Sequence, residues 1–249
     1  MLTSKEQQRY SRQMLLKEFG IEQQLQLKRS RVLIVGIGGL GNPCALYLAA
    51  AGVGKLFLCD GDHVDISNLH RQIMFQQQDI GADKVDVAAK NLSKLNNEID
   101  IETIDQMMDK ELLDYYLPEV DLVLDCSDNL NTRYLLNEFA LKHQTPLISA
   151  SAIRFEGQLF IVNPKQPDSA CYQCFYPKTK GEPNINCQTA GVVGPVLGIL
   201  GSMQALEAIK LLIGLANVSN QVKVFDGLIN QWQSFNVHKR ENCICADKS

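Results

Sequence analysis

The chain has 249 residues, 45% of them hydrophobic and 21% charged, with 17 Gly and 8 Pro, a composition that excludes disorder, collagen and coiled coil. Its 24 Lys and Arg against 28 Asp and Glu leave a net charge of −4, so no cationic footprint points to nucleic acid. The polar start MLTSKEQQRYSRQ has no apolar signal core, and Pro195 and several glycines interrupt the apolar run 190–206, so the expectation is a cytosolic protein without a membrane span.

RVLIV at 31–35 predicts a strand, GIGGLG at 36–41 a glycine turn, and 43–51 a helix stopped by Gly52 and Gly54. KLFLCD at 55–60, DLVLDC at 121–126 and PLISAS at 146–151 read as buried strands of the parallel type. Helical spacing is kept over 82–96 and 131–142. This alternation predicts an α/β fold with a doubly wound, mostly parallel, Rossmann-like sheet. After about residue 150 the rhythm changes. Half-exposed alternating strands are expected at 157–163, 221–226 and 231–237, the last two forming a hairpin around Gly227, with a buried helix over 190–213. No linker marks a boundary, so 1–249 is expected to be one domain: a nucleotide-binding core over 30–150 and a mixed, antiparallel C-terminal half over 151–249.

Gly36, Gly38, Gly39 and Gly41 form a turn whose backbone N–H groups can approach phosphate at a helix N-terminus, and Asp60 closes the next strand where ribose hydroxyls would meet it. No GxxxxGK[ST] loop is present, which disfavours P-loop phosphoryl transfer. Asn68, Arg71, Gln72 and Lys84 follow the turn and could reach a triphosphate; Asp128 and Asn129 lie just past the strand 121–126, where Asp128 could hold Mg²⁺. A dinucleotide does not need two extra cations, whereas a triphosphate being split does. The competing readings are solvated surface roles for Arg71 and Lys84, an NAD-dependent oxidoreductase, and a non-catalytic scaffold on a nucleotide fold. Arg9 and Arg12 read from spacing alone as an exposed helix face.

Eight cysteines in a reducing compartment call for a metal or thiol explanation. Cys171, Cys174, Cys243 and Cys245 suit a closed four-thiolate Zn²⁺ site, with free thiols as the alternative. The Cys243–Cys245 spacer is shorter than the common one, so a more extended segment is expected there. Cys187 is expected at the N-terminus of the 190–213 helix, where the dipole favours thiolate; a buried small residue is the plainer reading. Cys44, Cys59 and Cys126 read as core residues.

RYSRQ at 9–13, GIGGLG at 36–41, SNLHRQ at 67–72, Lys84, LDCSDN at 124–129, CYQC at 171–174 and NCQTAGVVGP at 186–195 together resemble the ThiF/MoeB family. These enzymes adenylate ubiquitin-like sulfur-carrier proteins and are related to ubiquitin-activating enzymes. The resemblance covers nearly the whole chain and implies ATP-dependent activation of the carrier's C-terminal Gly-Gly carboxylate, releasing pyrophosphate. It further implies that Asp60 holds ribose, that Arg71 and Lys84 contact phosphates, that Asp128 places Mg²⁺, and that Arg12 reaches the site of the other subunit in a homodimer. LEAIKLL at 206–212 and the segments FDG and QWQSF within 225–235 look closer to the thiamin-pathway branch than to the molybdopterin branch. In the thiamin branch the cysteine matching Cys187 carries sulfur or bonds to the carrier; a sulfurtransferase as donor stays open. The family usually has CxxC in both halves of its zinc site, and CxC at 243–245 departs from that.

Overall fold

A computed structural model describes residues 1–178, 190–215 and 220–246. Two N-terminal helices, α1 (Ser4–Met14) and α2 (Gly20–Arg29), precede β1 (Arg31–Val35). The chain continues through α3 (Gly41–Ala51), β2 (Lys55–Cys59), α4 (Lys84–Leu95), β3 (Asp100–Ile104), α5 (Lys110–Tyr116), β4 (Leu122–Asp125), α6 (Leu130–His143) and β5 (Leu147–Ile153). Then come β6 (Glu156–Val162), the short α7 (Tyr172–Phe175), α8 (Gly194–Leu212), β7 (Gln221–Asp226) and β8 (Gln231–Asn236).

All eight strands join one sheet in the order β3-β2-β1-β4-β5-β6-β7-β8. Pairing is parallel from β3 to β5 and antiparallel from β5 to β8. The expected doubly wound sheet with an antiparallel extension is therefore present. Its central strands are continuous apolar runs because both faces are covered. Val32 and Ile34 of β1 face one core with α3, α4 and α8; Leu33 and Val35 face the other with α5, α6 and α7.

β3 departs from expectation, whereas α1 and α8 are the exposed helix face and the buried helix that the sequence predicts. α1 buries only Glu6 and Tyr10, so it has no apolar stripe; a capping box between Thr3 and Glu6 starts it, and Glu6 pairs with Lys28 at 2.7 Å. β3, of sequence DIETI, is a largely uncovered edge strand with one buried residue, too polar to read as a strand. α8 is 19 residues long and apolar enough to cross a membrane by length and composition, yet it packs Val196, Leu197, Leu200, Ala205, Ala208 and Leu212 into the core.

Glu207 on α8 accepts Lys210 Nζ at 2.7 Å and Lys223 Nζ of β7 at 2.9 Å. Burial works against its charge, but the two ammonium groups hold its pKa below the usual carboxylate range. A depressed folded pKa contributes stability above the unfolded value and loses it as pH falls through the folded one. Glu207→Gln should therefore lower Tm near neutral pH by about 2–4 °C, for a loss of about 1 kcal/mol. The gap to wild type should close on acidification through that range; a gap independent of pH would assign the effect to packing.

Candidate nucleotide site and cysteine cluster

β1 and β4 are neighbours in the sheet although far apart in sequence, and the chain leaves them toward opposite faces. This reversal opens a crevice at the strands' carboxyl ends, where open α/β sheets bind ligands. A cleft of about 330 Å³ lies there, within the size range of ligand sites. The first glycine turn makes the approach possible. Gly36 has φ +93°, and a methyl group on it would lie 2.7 Å from the Cys126 carbonyl oxygen. A methyl on Gly41 would lie 2.0 Å from Gly36 O, so α3 can start only this close behind the turn if the residue is glycine.

Gly36, Gly38, Gly39, Asp60, Asn68, Arg71, Gln72, Lys84, Asp128 and Asn129 all line this one cleft. Gly41 sits behind the turn. Asp60 Oδ2 accepts the Ile37 N–H at 2.7 Å and Oδ1 accepts the Asp62 N–H at 3.0 Å, so the carboxylate ties the end of β2 to the glycine turn. Burial raises its pKa, against the opposing pull of Lys84 and these N–H groups. Lys84, at the start of α4, is nearly buried and its Nζ lies 2.8 Å from Asp62 Oδ2, which aims an otherwise mobile cation into the cleft. Arg71 donates to Ser67 O at 2.8 Å and is half-buried. Asp128 is exposed to the cleft.

One of these residues has a more local duty than its pattern suggested. Asn129 caps α6, its Oδ1 accepting the Thr132 N–H at 2.9 Å. Gln72 is buried, and among the described residues its Oε1 has no partner, an acceptor left without a donor beside the glycine turn. The cleft is also lined by charged residues not picked out from the sequence, Asp62, Asp65 and Arg133. Lys84 and Asp62 meet across a 22-residue separation, which no local spacing marks. Arg133 stands in the first turn of α6 beyond the quoted motif, where it reads as an ordinary helix residue.

Arg12 lies elsewhere. It is exposed on α1, whose contacts include Arg9 Nη1 to Leu95 O and Gln13 Nε2 to Ala51 O, both at C-terminal ends of helices that start near the cleft. An 11-residue helix such as α3 is roughly 16 Å long, so Arg12 sits at the far end of the layer from its own cleft. Cys187 lies outside the described residues, and the helix expected to begin at 190 runs over Gly194–Leu212.

Cys59 and Cys126 line the cleft floor. Burial pushes the Cys59 thiol up to about 12, helped by Asp60 and Asp109, and pushes Cys126 up as well. Neither is a thiolate nucleophile near neutral pH.

Of the other described cysteines, Cys44 is buried in the core and four converge. Cys171 and Cys174 of the α7 region meet Cys243 and Cys245 of the tail, with all four Sγ atoms within 4.8 Å of one another. The Cys171–Cys243 and Cys174–Cys245 separations are 3.4 Å, and Cys171–Cys174 is 3.9 Å. Tetrahedral Zn–S bonds of about 2.3 Å require S···S near about 3.8 Å, so the donor set fits a four-thiolate metal site. Burial raises the Cys171 thiol and Cys245 is pushed up to about 12, whereas against the burial of Cys174 hydrogen bonds from the Arg240 and Cys171 backbone and from the neighbouring thiols hold it below the usual thiol value. The CxC segment is not extended as expected. Turns closed by Cys243 N–H to Arg240 O at 3.1 Å and Ala246 N–H to Cys243 O at 3.0 Å curl it so that both thiols face inward despite the short spacer.

The chain is 46% identical over 239 residues to the Escherichia coli (strain K12) sulfur carrier protein ThiS adenylyltransferase, covering 96% of this chain and 94% of that one. It is 45% identical over 249 residues to the adenylyltransferase and sulfurtransferase MOCS3-1 of Drosophila pseudoobscura pseudoobscura, covering 98% of this chain and 55% of that one; it thus spans about half of that relative. Among solved structures, E. coli MccB with ATP superposes at a TM-score of 0.82 with 24% identity, covering 96% of this chain and 74% of that one, a likeness of fold. Residues 10–245 match the ThiF family, and with the fold, the cleft and these relatives in agreement, the chain belongs to the ThiF family.

Proposed function

We propose that this protein is an adenylyltransferase that activates the C-terminal glycine carboxylate of a ubiquitin-like sulfur-carrier protein with ATP. The observation that carries the reading is the convergence of the glycine turn, Asp60, Arg71, Lys84 and Asp128 in one cleft. The glycine turn, with Asn68 and Gln72 beside it, takes the phosphates, and Asp60 takes the ribose. A carboxylate oxygen of the carrier attacks the α-phosphorus, the bond to the β-phosphate oxygen breaks, and pyrophosphate leaves with that electron pair. The carboxylate is already ionised, so no general base is required. Negative charge accumulates on the departing pyrophosphate, and Lys84 and Arg71 stabilise it in place. Asp128, an oxygen donor facing the phosphate side of the cleft, suits Mg²⁺, which when bound would neutralise phosphate charge. Carrier-dependent exchange of labelled pyrophosphate into ATP tests this; bound nicotinamide with hydride transfer would favour an oxidoreductase, and binding without exchange a scaffold.

The site of one chain lacks its own Arg12, which supports a homodimer in which Arg12 serves the partner's cleft. Exposed Leu15, Leu16 and Ile21 near α1, and Ile66 and Ile73 near the cleft, are apolar surface suited to such a contact. Arg12→Ala and Asp128→Ala should each be nearly inactive, and mixing the two variants should restore part of the activity. No recovery in demonstrated heterodimers would argue for action within one chain.

Chain 1–249 is read as one adenylation domain, in the cytoplasm, where a four-thiol cluster stays reduced and can hold Zn²⁺. The thiamin-type carrier is favoured, since a ThiS adenylyltransferase matches over nearly its full length. The relatives named for both adenylyl and sulfur transfer keep a molybdopterin-type carrier, with a sulfurtransferase as donor, as the second reading. Cys187→Ser distinguishes the branches. Pyrophosphate exchange should stay near wild type, while carrier thiolation is blocked in the thiamin-type enzyme and spared in the molybdopterin-type one.

A further inference from the structure

Beneath the cleft lies a buried charged network that touches no part of the cleft surface itself through two of its members. Asp125, the last residue of β4, is fully buried, and so is Ser149 of β5; neither lines the cleft. Asp125 Oδ1 accepts the Ser127 Oγ at 2.6 Å and the Ser127 N–H at 3.1 Å, and Oδ2 accepts the Ser149 Oγ at 2.5 Å. Arg133 Nη2 donates to Ser127 O at 2.6 Å, Nη1 donates to Ala150 O at 2.9 Å, and Nη1 lies 4.0 Å from Asp125 Oδ2. Gln204 of α8 donates to Asp125 O at 2.9 Å.

Ser127 is thereby held at its N–H, its hydroxyl and its carbonyl. That carbonyl belongs to the peptide unit whose nitrogen is that of Asp128, and the unit is planar, so fixing the carbonyl fixes the plane from which the Asp128 Cα departs. A buried carboxylate and guanidinium are costly unless fully partnered, and an apolar filling would stabilise a sheet end at least as well. A carboxylate that must reach a fixed point on a ligand benefits from such preorganisation.

Resting on the reading of Asp128 as the Mg²⁺ ligand, we propose that Asp125, Ser149 and Arg133 are positioning residues that lock the Ser127–Asp128 peptide so that the Asp128 carboxylate is aimed before the metal–nucleotide binds. Ser149 acts through Asp125, and Asp125 acts through Ser127 and Arg133. Their loss loosens the metal contact and leaves the nucleotide's own contacts intact.

The test uses the full chain with Ser149→Ala, which deletes one hydrogen bond to Asp125, and Ile148→Val as a control that loosens the same strand in the core. Calorimetric titration compares ATP binding with saturating Mg²⁺ and in EDTA, and pyrophosphate exchange is followed against Mg²⁺ concentration. Ser149→Ala should raise the half-saturating Mg²⁺ about fivefold or more and weaken ATP binding only when the metal is present, whereas Ile148→Val should lower Tm without either change. Ser149→Thr, which keeps the hydroxyl, should recover most of the Mg²⁺ response. If Ser149→Ala lowers Tm but keeps the wild-type Mg²⁺ dependence in both assays, the positioning role is overturned. Asp128→Ala run alongside separates the two ideas: loss of the Mg²⁺ response there with an unchanged Ser149→Ala overturns positioning alone, and a normal response in Asp128→Ala overturns both.

Discussion

Asp128→Ala should lower carrier-dependent pyrophosphate exchange on the order of 10²–10³-fold, the usual effect of removing one preorganised electrostatic contact at a transition state. The residue is exposed to the cleft and follows a tightly held Ser127, so its truncation leaves the α6 cap at Asn129 and the core beneath untouched. Fold and Tm should stay close to wild type, which separates this variant from a structural lesion. Lys84 and Arg71 remain but cannot replace the missing ligand, because they offer only positive charge and no oxygen donor. Circular dichroism with the exchange assay reads both effects. Near-normal exchange in a folded Asp128→Ala protein would remove this residue from the chemistry.

Cys171→Ser should lower stability by about 4 kcal/mol, the linkage value when free metal exceeds Kd by about 1,000-fold, or about 8–16 °C in Tm for a chain of this size. Cys171 is fully buried in the second core beside α6, and its partner Cys243 belongs to the C-terminal tail, so the cluster pins that tail to the body. Adenylation should survive in the remaining folded protein at low temperature, because the cleft is lined by other residues. Elemental analysis should find about one Zn²⁺ per wild-type chain and little in the variant. A wild-type protein that is metal-free and equally stable after chelation would show that the four thiols act without a metal.

The parallel half is legible because burial on both faces writes continuous apolar runs: RVLIV at 31–35 predicts a strand, and β1 is Arg31–Val35. The 221–226 strand was equally plain, and its turn at Gly227 leads into β8 as expected. β8 itself is exposed along its whole length, Trp232 and Phe235 included, so its alternation reflects no buried face. β3 escaped because an uncovered edge strand needs no apolar pattern, and α1 shows only as the exposed face of Arg9 and Arg12 because its order comes from a capping box and the Glu6–Lys28 pair. In the site, the glycine turn, Asp60 and Asp128 follow strand ends and were readable by position. Asp62, Arg133, Asp125 and Ser149 were not, since their partners come together only when β4, β5, α4 and α6 assemble.

The most direct test of the central claim is intact-mass spectrometry of a thiamin-type sulfur carrier after incubation with the enzyme, ATP and Mg²⁺, with pyrophosphatase present to hold the reaction forward. The account predicts a carrier adduct of one AMP that requires the terminal glycine and is absent with Asp128→Ala. ATP left uncleaved, or cleaved to ADP with no AMP on any carrier offered, would contradict it.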